Sequence, residues 1–295
     1  MNFFLTLVLT GVSVGSVYAL IATGLNLSFW TTRTLNFGQG SIMMLCSFGF
    51  AFMVTNRVSL PVAIGVCFVV SALIGVVVER LTVRPALKRG GGSMGWVVST
   101  LGLGILIQGL AAKFFGSQAV AFPEILFSVR DSVRIAGVAF SLQYAVVIAI
   151  TLTVILSLEL FLRHSRLGHA VRAVSEDAEF ARVQGIPVDL IVVSSFVASS
   201  LLAALAGLLA AQIGGTVDSS FGFDLVLLGF VAGVLGGMGS SAGALFGGIA
   251  LGIITKLVGG YISTAAEHGI AFALLMLILA LLPNGFFGRN EVRRA

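Results

Sequence analysis

Continuous apolar segments, each about long enough to cross a bilayer, follow one another along almost the whole of this 295-residue chain. Charged residues make up only 10% of it, against about 25% in an average soluble domain. The segments are apolar throughout, whereas the strands of a membrane barrel alternate between apolar and polar residues. A helix also satisfies its backbone hydrogen bonds internally, as lipid requires. We therefore predict an all-α polytopic membrane protein with about eight or nine transmembrane helices, some short or broken, in a single domain covering residues 1–295.

The apolar runs predict nine segments, and eight spans if one short segment is re-entrant. A spanning helix needs about 20 residues, so several of the nine are close to the lower limit. The predicted segments are Phe3–Phe29, Ser41–Thr55, Leu60–Val78, Trp96–Phe115, Ser141–Phe161, Leu190–Gly214, Phe223–Met238, Ala242–Val258 and Ile270–Leu282.

The basic residues indicate how these segments are oriented. Most of the 17 Lys and Arg residues lie in three clusters, and such residues accumulate in cytoplasmic loops. Nine spans with the N-terminus outside and the C-terminus in the cytoplasm would place all three clusters inside. Because the charge follows the loops and forms no continuous stripe, it does not favour nucleic-acid binding. The clusters are Arg80, Arg84, Lys88 and Arg89; Arg163, Arg166, Arg172 and Arg182; and Arg289, Arg293 and Arg294.

The central loop, Leu162–Asp189, carries a set of helix start and stop signals between two long apolar segments. Ser175 is placed to act as an N-cap, and acidic residues after it suit the positive end of a helix dipole. We predict a short helix over Glu176–Gln184, too short to be stable alone in water, which packs against a soluble partner protein. The residues that carry this prediction are Ser175, Glu176, Asp177 and Glu179 at the start, and Arg182, Gly185 and Pro187 at the end.

A polar, glycine-containing stretch, Asn36-Phe37-Gly38-Gln39-Gly40, interrupts the apolar pattern between the first two segments. Irregular backbone at membrane depth is tolerated where protein buries it or a cavity hydrates it, and it often lies beside a translocation path. The stretch Gly233–Gly243 is a similar interruption in the second half. The predicted substrate pathway comprises Asn36, Gly38, Gln39, Gly40, Ser41, Gly236, Gly237 and Gly239.

Other polar residues and the glycines have simpler explanations. Asn26, Gln108 and Gln212 are as readily explained by hydrogen bonds between helices. Glycines four residues apart, such as Gly11 with Gly15 and Gly248 with Gly252, allow helix backbones to approach closely in lipid. We expect most of these pairs to serve packing within the chain, with a dimer interface as the alternative.

The sequence predicts no catalytic or metal site and no cofactor on this chain. The loop Gly90–Gly95 lacks the Lys and the Ser or Thr of a phosphate-binding loop, so any nucleotide that drives the protein binds another chain. The two cysteines, Cys46 and Cys67, lie in apolar segments and are expected to be packing residues. An ion- or proton-coupled secondary transporter acting alone would need an ionisable residue at mid-span, and a passive channel would need no ATPase; both remain alternatives.

Five motifs in order along the chain resemble one family over nearly its whole length, namely the LivH-type permease subunits of bacterial ABC importers for branched-chain amino acids, with urea and short-amide relatives. In position 39 this chain has Gln where many members carry His. The motifs are Tyr18-Ala19-Leu20-Ile21-Ala22 leading to Asn36-Phe37-Gly38-Gln39-Gly40; Val78-Glu79-Arg80-Leu81 with Val83-Arg84-Pro85; Ser99-Thr100-Leu101-Gly102-Leu103; Arg172-Ala173-Val174 with Glu176-Asp177 and Gly185-Ile186; and Leu235-Gly236-Gly237-Met238-Gly239-Ser240.

The resemblance implies a permease in the bacterial cytoplasmic (inner) membrane that moves a small polar solute, most often an amino acid, with urea, amides or sugars as family alternatives. It implies four kinds of partner: a second permease that is related but different, two ATPase subunits, an extracytoplasmic solute-binding protein and membrane lipid. ATP and Mg²⁺ would bind the ATPases, and the Glu176–Gln184 helix would be their docking element.

Overall fold

Helices account for almost all of the regular structure in the computed structural model, which describes residues 2–88, 95–116, 118–125, 132–135, 138–282 and 285–287. The helices are α1 (Asn2–Thr32), α2 (Gln39–Thr55), α3 (Leu60–Val77), a π-helix (Val78–Val83), α4 (Arg84–Lys88), α5 (Gly95–Phe115), α6 (Leu142–His164), α7 (Arg166–Glu176), α8 (Ala178–Val183), α9 (Val188–Gly214), α10 (Phe221–Gly236), α11 (Ser241–Tyr261) and α12 (Ala266–Leu281). The strands are β1 (Val120–Ala121), β2 (Ser132–Ile135), β3 (Val138–Ser141) and β4 (Thr216–Val217).

Each of the nine predicted apolar segments coincides with a helix, so the predicted fold class is confirmed. Within the described residues, six helices are long and apolar enough to cross a membrane, and three shorter apolar helices, α2, α10 and α12, accompany them. Helix α1 continues to Thr32 and α2 begins at Gln39, so the gap between the first two segments, predicted as residues 30–40, covers only residues 33–38. Residues 90–94 of the glycine-rich loop, together with Arg89, Arg289, Arg293 and Arg294, lie outside the described residues.

Two short β-ribbons interrupt the helical architecture, and the sequence did not predict them. Strand β1 pairs antiparallel with β4, with Val120 opposite Val217, and β2 pairs antiparallel with β3. Strands of two to four residues are too short for alternation to reveal them. The ribbon β1–β4 joins the segment after α5 to the segment after α9.

The π-helix between α3 and α4 widens one turn of an otherwise continuous helix. Pro85 follows it and has no N–H to donate to the preceding turn, and the hydroxyl of Thr82 donates to the carbonyl of Val78 inside the wide turn. Such single-turn π segments occur frequently at functional sites. Here the wide turn brings Glu79 and Arg84, five residues apart, onto one face.

The chain divides into two compact units made of interleaved segments: residues 1–26, 127–155 and 227–295 form one, and 27–126 and 156–226 form the other. In the first unit, α1 and α11 pack through the glycines that the sequence singled out. A Cβ added to Gly15 would lie 2.6 Å from the carbonyl oxygen of Gly248, and one added to Gly252 would overlap the backbone of Gly15. These glycines therefore serve helix packing within the chain, as expected.

In the second unit, α9 packs against α2 and α3 at equally short range. A Cβ on Gly207 would lie 2.7 Å from the carbonyl oxygen of Met43, and one on Gly75 would lie 2.6 Å from the hydroxyl of Ser200. The buried thiols of Cys46 and Cys67 are free, and each contacts the other's carbonyl oxygen at 3.4 to 3.5 Å. Both cysteines are packing residues between α2 and α3, as the sequence predicted.

Candidate translocation and docking sites

Two buried amides occupy the interruption between α1 and α2. Asn36 and Gln39 are completely buried, yet neither side-chain oxygen nor side-chain nitrogen has a hydrogen-bond partner among the described residues. Leaving a buried polar group without a partner costs about 1–3 kcal/mol. Such a pair therefore calls for an explanation beyond packing.

Tight turns close the backbone of this interruption before α2 begins. The N–H of Gln39 donates to the Asn36 carbonyl at 3.1 Å, and that of Gly40 donates to the Phe37 carbonyl at 3.4 Å. Gly38 is the N-cap residue of α2. A Cβ at this position would crowd the Asn36 side chain, because it would lie 3.1 Å from the amide oxygen. The break thus places two amides at the start of a helix, where the dipole is positive.

Helix α5 packs against this break. A Cβ on Gly38 would lie 3.4 Å from the Thr100 carbonyl oxygen, and one on Gly104 would lie 2.8 Å from the Ser41 hydroxyl. Thr100 and Gly104 belong to the second and third turns of α5, an apolar helix long enough to span a bilayer. The Asn36–Gly40 motif therefore lies beside the interior of a spanning helix, in contact with the Ser99–Leu103 motif.

The start of α10 meets the start of α2 at two glycines. A Cβ on Gly40 would lie 2.5 Å from the Gly222 carbonyl oxygen, so any side chain there would separate the two helix ends. Asp218 caps α10 by accepting from the N–H groups of Ser220 and Phe221 at 2.7 and 2.9 Å. Two short helices thus begin next to each other, an arrangement found at the solute sites of transporters with discontinuous helices.

The predicted pathway residues fall into both units. Asn36, Gly38, Gln39, Gly40 and Ser41 lie together in the second unit. The other three lie in the first unit: Gly236 ends α10, and Gly237 and Gly239 lie in the turn between α10 and α11. Gly237 and Gly239 have φ values of +99° and +87°, which explains why this turn is built from glycine.

The remaining polar residues at depth form hydrogen bonds between elements, as the simpler explanation predicted. The Asn26 amide accepts from the Gly239 N–H at 3.1 Å and donates to the Ser240 carbonyl at 3.3 Å. Gln108 donates to the Ser219 carbonyl at 2.6 Å, and Gln212 accepts from the Ile125 N–H at 3.2 Å. Their satisfied amides contrast with those of Asn36 and Gln39.

In the central loop the helix boundary differs from the prediction. Ser165 caps α7, which continues through Ser175 to Glu176, and Asp177 caps the next helix, α8. The carboxylate of Asp177 accepts from the N–H groups of Glu179 and Phe180, both at 2.9 Å, whereas the Ser175 hydroxyl donates to the Arg172 carbonyl. The prediction of Ser175 as the N-cap was therefore wrong, because the buried face of α7 extends the first helix past it. Glu176 consequently ends α7, and of the three acids only Glu179 lies in the first turn of α8.

The end of this short helix is as predicted. Gly185 has a φ of +81°, and its N–H donates to the Arg182 carbonyl at 3.1 Å. The N–H of Ile186 donates to the Ala181 carbonyl, also at 3.1 Å, which is the pattern of a glycine-terminated helix. Helix α9 begins directly afterwards at Val188, with Pro187 as its first flanking residue.

Helices α7 and α8 bury one face and expose another. Val171 and Val174 of α7 and Ala181 of α8 are buried, and both helices contact α9. On the opposite side Phe180 is 62% exposed and Val183 is 83% exposed, next to the exposed Glu179 and Arg182. Large apolar side chains exposed within a charged loop are typical of a protein–protein contact.

A chain of charges anchors this loop to the π-helix, and the sequence reasoning did not identify it. The guanidinium of Arg84 donates to the Glu79 carboxylate at 2.9 Å and to the Asp189 carboxylate at 3.4 Å. Arg182 of α8 lies 3.7 Å from the same Asp189, while Glu79 itself is 2% exposed. The sequence did contain one signal: Glu79 directly follows an apolar segment, where a carboxylate needs a cation nearby.

Several apolar helices long enough to span a membrane, one of them followed by a break at buried amides, are an arrangement found in membrane transport proteins. A family model described as "Branched-chain amino acid transport system / permease component" matches residues 7–281. The chain belongs to this family, and it is accordingly a transport subunit and not an enzyme.

Several curated relatives cover nearly the whole chain. The high-affinity branched-chain amino acid transport system permease protein LivH of Escherichia coli is 33% identical over 304 residues, covering 99% of this chain and 98% of the relative. The corresponding protein BraD of Pseudomonas aeruginosa is 32% identical with the same coverage. The galactofuranose transporter permease protein YtfT of Escherichia coli is 30% identical over 257 residues, covering 85% of this chain and 68% of that protein.

Among solved structures, a chain of PsaBC from Streptococcus pneumoniae in complex with Fab has the same fold. The two superpose with a TM-score of 0.53 at 15% identity, covering 97% of this chain and 94% of the other. At this identity the likeness concerns the fold alone.

Proposed function

We propose that this chain is the transmembrane permease subunit of an ATP-binding-cassette importer that carries branched-chain amino acids into the cytoplasm. The observation that carries the proposal is family membership over residues 7–281. The choice of solute rests on the relatives: identity to LivH and BraD extends over 99% of the chain, and identity to the galactofuranose permease over 85%. A sugar is therefore the weaker alternative.

The proposed assembly contains two ATPase subunits, a second and related but different permease, and an extracytoplasmic solute-binding protein. ATP and Mg²⁺ bind the ATPases. The chain lies in the bacterial cytoplasmic membrane with its N-terminus outside and its C-terminus in the cytoplasm, so the central loop faces the ATPases. The basic residues of that loop, Arg163, Arg166, Arg172 and Arg182, support this orientation.

The docking surface is the exposed side of α8 together with the adjoining charges. Phe180 and Val183 supply its apolar part, and Glu179 and Arg182 its polar edge. Asp177 and Gly185 set the two ends of the helix, while Ser175 and Glu176 form the end of α7 that precedes it. Closure of the ATPases on ATP shifts the permease between states because they bind one state of this surface more tightly than the other.

The solute pathway passes the break between α1 and α2. Buried amides without partners, as in Asn36 and Gln39, support this because a passing solute can supply the missing hydrogen bonds. The positive end of α2 is suited to the carboxylate of an amino acid. Gly38, Gly40 and the hydroxyl of Ser41 in the second unit, and Gly236, Gly237 and Gly239 in the first, complete the proposed pathway.

The test is affinity purification of the tagged chain from its native membrane in mild detergent, followed by mass spectrometry and an ATPase assay. We expect two ATPase chains and a second permease to co-purify with the wild type. Phe180→Ala should reduce ATPase recovery by roughly tenfold, as expected for loss of an aromatic interface residue worth more than 1 kcal/mol. Phe52→Ala is the matched control, because Phe52 is similarly exposed, at 57%, but lies on α2.

Substitutions at Asp177 separate charge from helix capping. Asp177→Asn keeps a capping side chain and removes the charge, while Asp177→Ala removes both and should destabilise α8 by about 1 kcal/mol. If docking requires the negative charge, both variants lose the ATPases. If docking requires only the helix, Asp177→Ala alone loses them. A wild-type chain that purifies without any ATPase would contradict the proposed function.

A further inference from the structure

Arg33 connects the interruption beside the amides to the central loop. It is the first residue after α1, and its N–H donates to the Phe29 carbonyl at 2.9 Å, closing the last turn. Its guanidinium lies 5.8 Å from the centre of the Phe29 ring and donates to the carbonyl of Ser175 at 3.3 Å. All three residues belong to the same compact unit.

The Ser175 carbonyl is one of the groups that α7 cannot satisfy internally. Helix α7 ends at Glu176, and the last four carbonyls of an α-helix have no partner within it. These carbonyls also form the negative end of the helix dipole, where a cation is favoured. The Arg33 guanidinium therefore caps α7 from another element, and the Phe29 ring holds the guanidinium in place.

The backbone of Arg33 is unusual as well. Its φ is +55°, a left-handed conformation that residues other than Gly, Asn and Asp adopt at a cost in stability. Glycine would remove that cost. An arginine is nevertheless present three residues before Asn36, and its contacts with the Ser175 carbonyl and the Phe29 ring are ones that glycine could not make.

We propose that Arg33 is a positioning residue that transmits movement of α7 and α8 to the break containing Asn36 and Gln39. The inference rests on the proposed function, because it requires an ATPase to act on the central loop. When α7 and α8 shift, the Ser175 carbonyl moves or releases the guanidinium, and the chain from Arg33 to Asn36 moves with it. Without the guanidinium the ATPases can still dock, but their cycle moves the break less effectively.

The experiment uses the complete complex, with the chain replaced in its own cells by variants. Uptake of radiolabelled leucine is measured in cells, and ATP hydrolysis is measured on the complex purified from the same cells. The readout is the ratio of uptake, normalised to the amount of assembled complex in the membrane, to hydrolysis per purified complex, so that a loss of folding or expression alone leaves it unchanged.

Arg33→Gly removes the guanidinium and the backbone strain together, so the variant is expected to fold. Its ratio should fall roughly three- to tenfold, the range for losing an exposed hydrogen bond of ordinary net strength. Arg33→Lys should keep the ratio within about twofold of the wild type, because an ammonium group can also donate to a single carbonyl and lie over an aromatic ring. Arg57→Gly is the matched control: Arg57 follows α2 with a φ of +62°.

The possible results are distinct. A ratio in Arg33→Gly equal to that in Arg57→Gly and the wild type would overturn the role of Arg33 while leaving the proposed function intact. A ratio in Arg33→Lys as low as in Arg33→Gly would also overturn it, since the cation would not be the cause. A wild-type complex without ATPases would remove the proposed function and this inference with it.

Discussion

Asn36 and Gln39 are buried amides whose side chains have no hydrogen-bond partner among the described residues. A group of this kind lowers stability in the conformation that buries it, and it persists where function requires it. The contrast with Asn26, whose oxygen and nitrogen are both bonded to the turn after α10, supplies a test at the level of single residues.

We predict that Asn36→Leu and Gln39→Met leave the melting temperature of the detergent-solubilised chain unchanged or raise it, and at the same time reduce leucine uptake. The reason is that each removes an unpaired buried amide and also a group proposed to contact the solute. Asn26→Leu, the matched control, should destabilise the chain by about 1–3 kcal/mol. Equal destabilisation by all three substitutions would show that the Asn36 and Gln39 amides are bonded after all.

The α1–α11 contact in the first unit depends on the absence of side chains. We predict that Gly252→Ala destabilises the chain by about 1–3 kcal/mol, because the added methyl group would overlap the backbone of Gly15. Gly102→Ala is the control, since a Cβ there would meet no described atom within 4 Å. The two melting temperatures should differ by several degrees, and equal values would contradict this packing.

At the level of elements, Arg84 joins the π-helix to α9, because it bonds both Glu79 and Asp189. We predict that Arg84→Gln destabilises the chain by about 2–4 kcal/mol, because it leaves the buried Glu79 carboxylate without its cation. Adding Glu79→Gln should restore most of the lost stability, as the buried charge is then gone. Melting curves of the two single variants and the double variant test this, and a double variant as unstable as the sum of both single variants would contradict the pairing.

Local signals in the sequence predicted the helices well and one cap wrongly. The apolar runs located the nine apolar helices found among the described residues, and the glycine signal at residue 185 was correct. Ser175 and Asp177 are both good capping residues two positions apart, and the choice between them depends on how far α7 packs along α9, which is a tertiary contact. The bonds of Arg33 to Ser175 and of Arg84 to Asp189 join residues more than 100 positions apart, so no local pattern could predict them.

For the whole molecule, the proposed orientation can be tested with single cysteines. We predict that an impermeant maleimide labels Ser59→Cys, between α2 and α3, from outside intact cells and labels Val183→Cys on α8 only after permeabilisation. Both positions are exposed, and the native Cys46 and Cys67 are buried, which limits background reaction. Labelling of Val183→Cys in intact cells would place the central loop on the wrong side for ATPase docking.

The central claim is that ATP hydrolysis on partner subunits, and not an ion gradient, drives transport through this chain. The most direct measurement is the uptake of radiolabelled leucine by cells that depend on this chain, after the membrane potential and proton gradient are collapsed while ATP is maintained, and after the reverse treatment. We predict that uptake persists without the gradients and stops when ATP is depleted. Uptake that stops with the gradients while ATP remains high would contradict it and would indicate an ion- or proton-coupled transporter, and uptake unaffected by either treatment would indicate a passive channel.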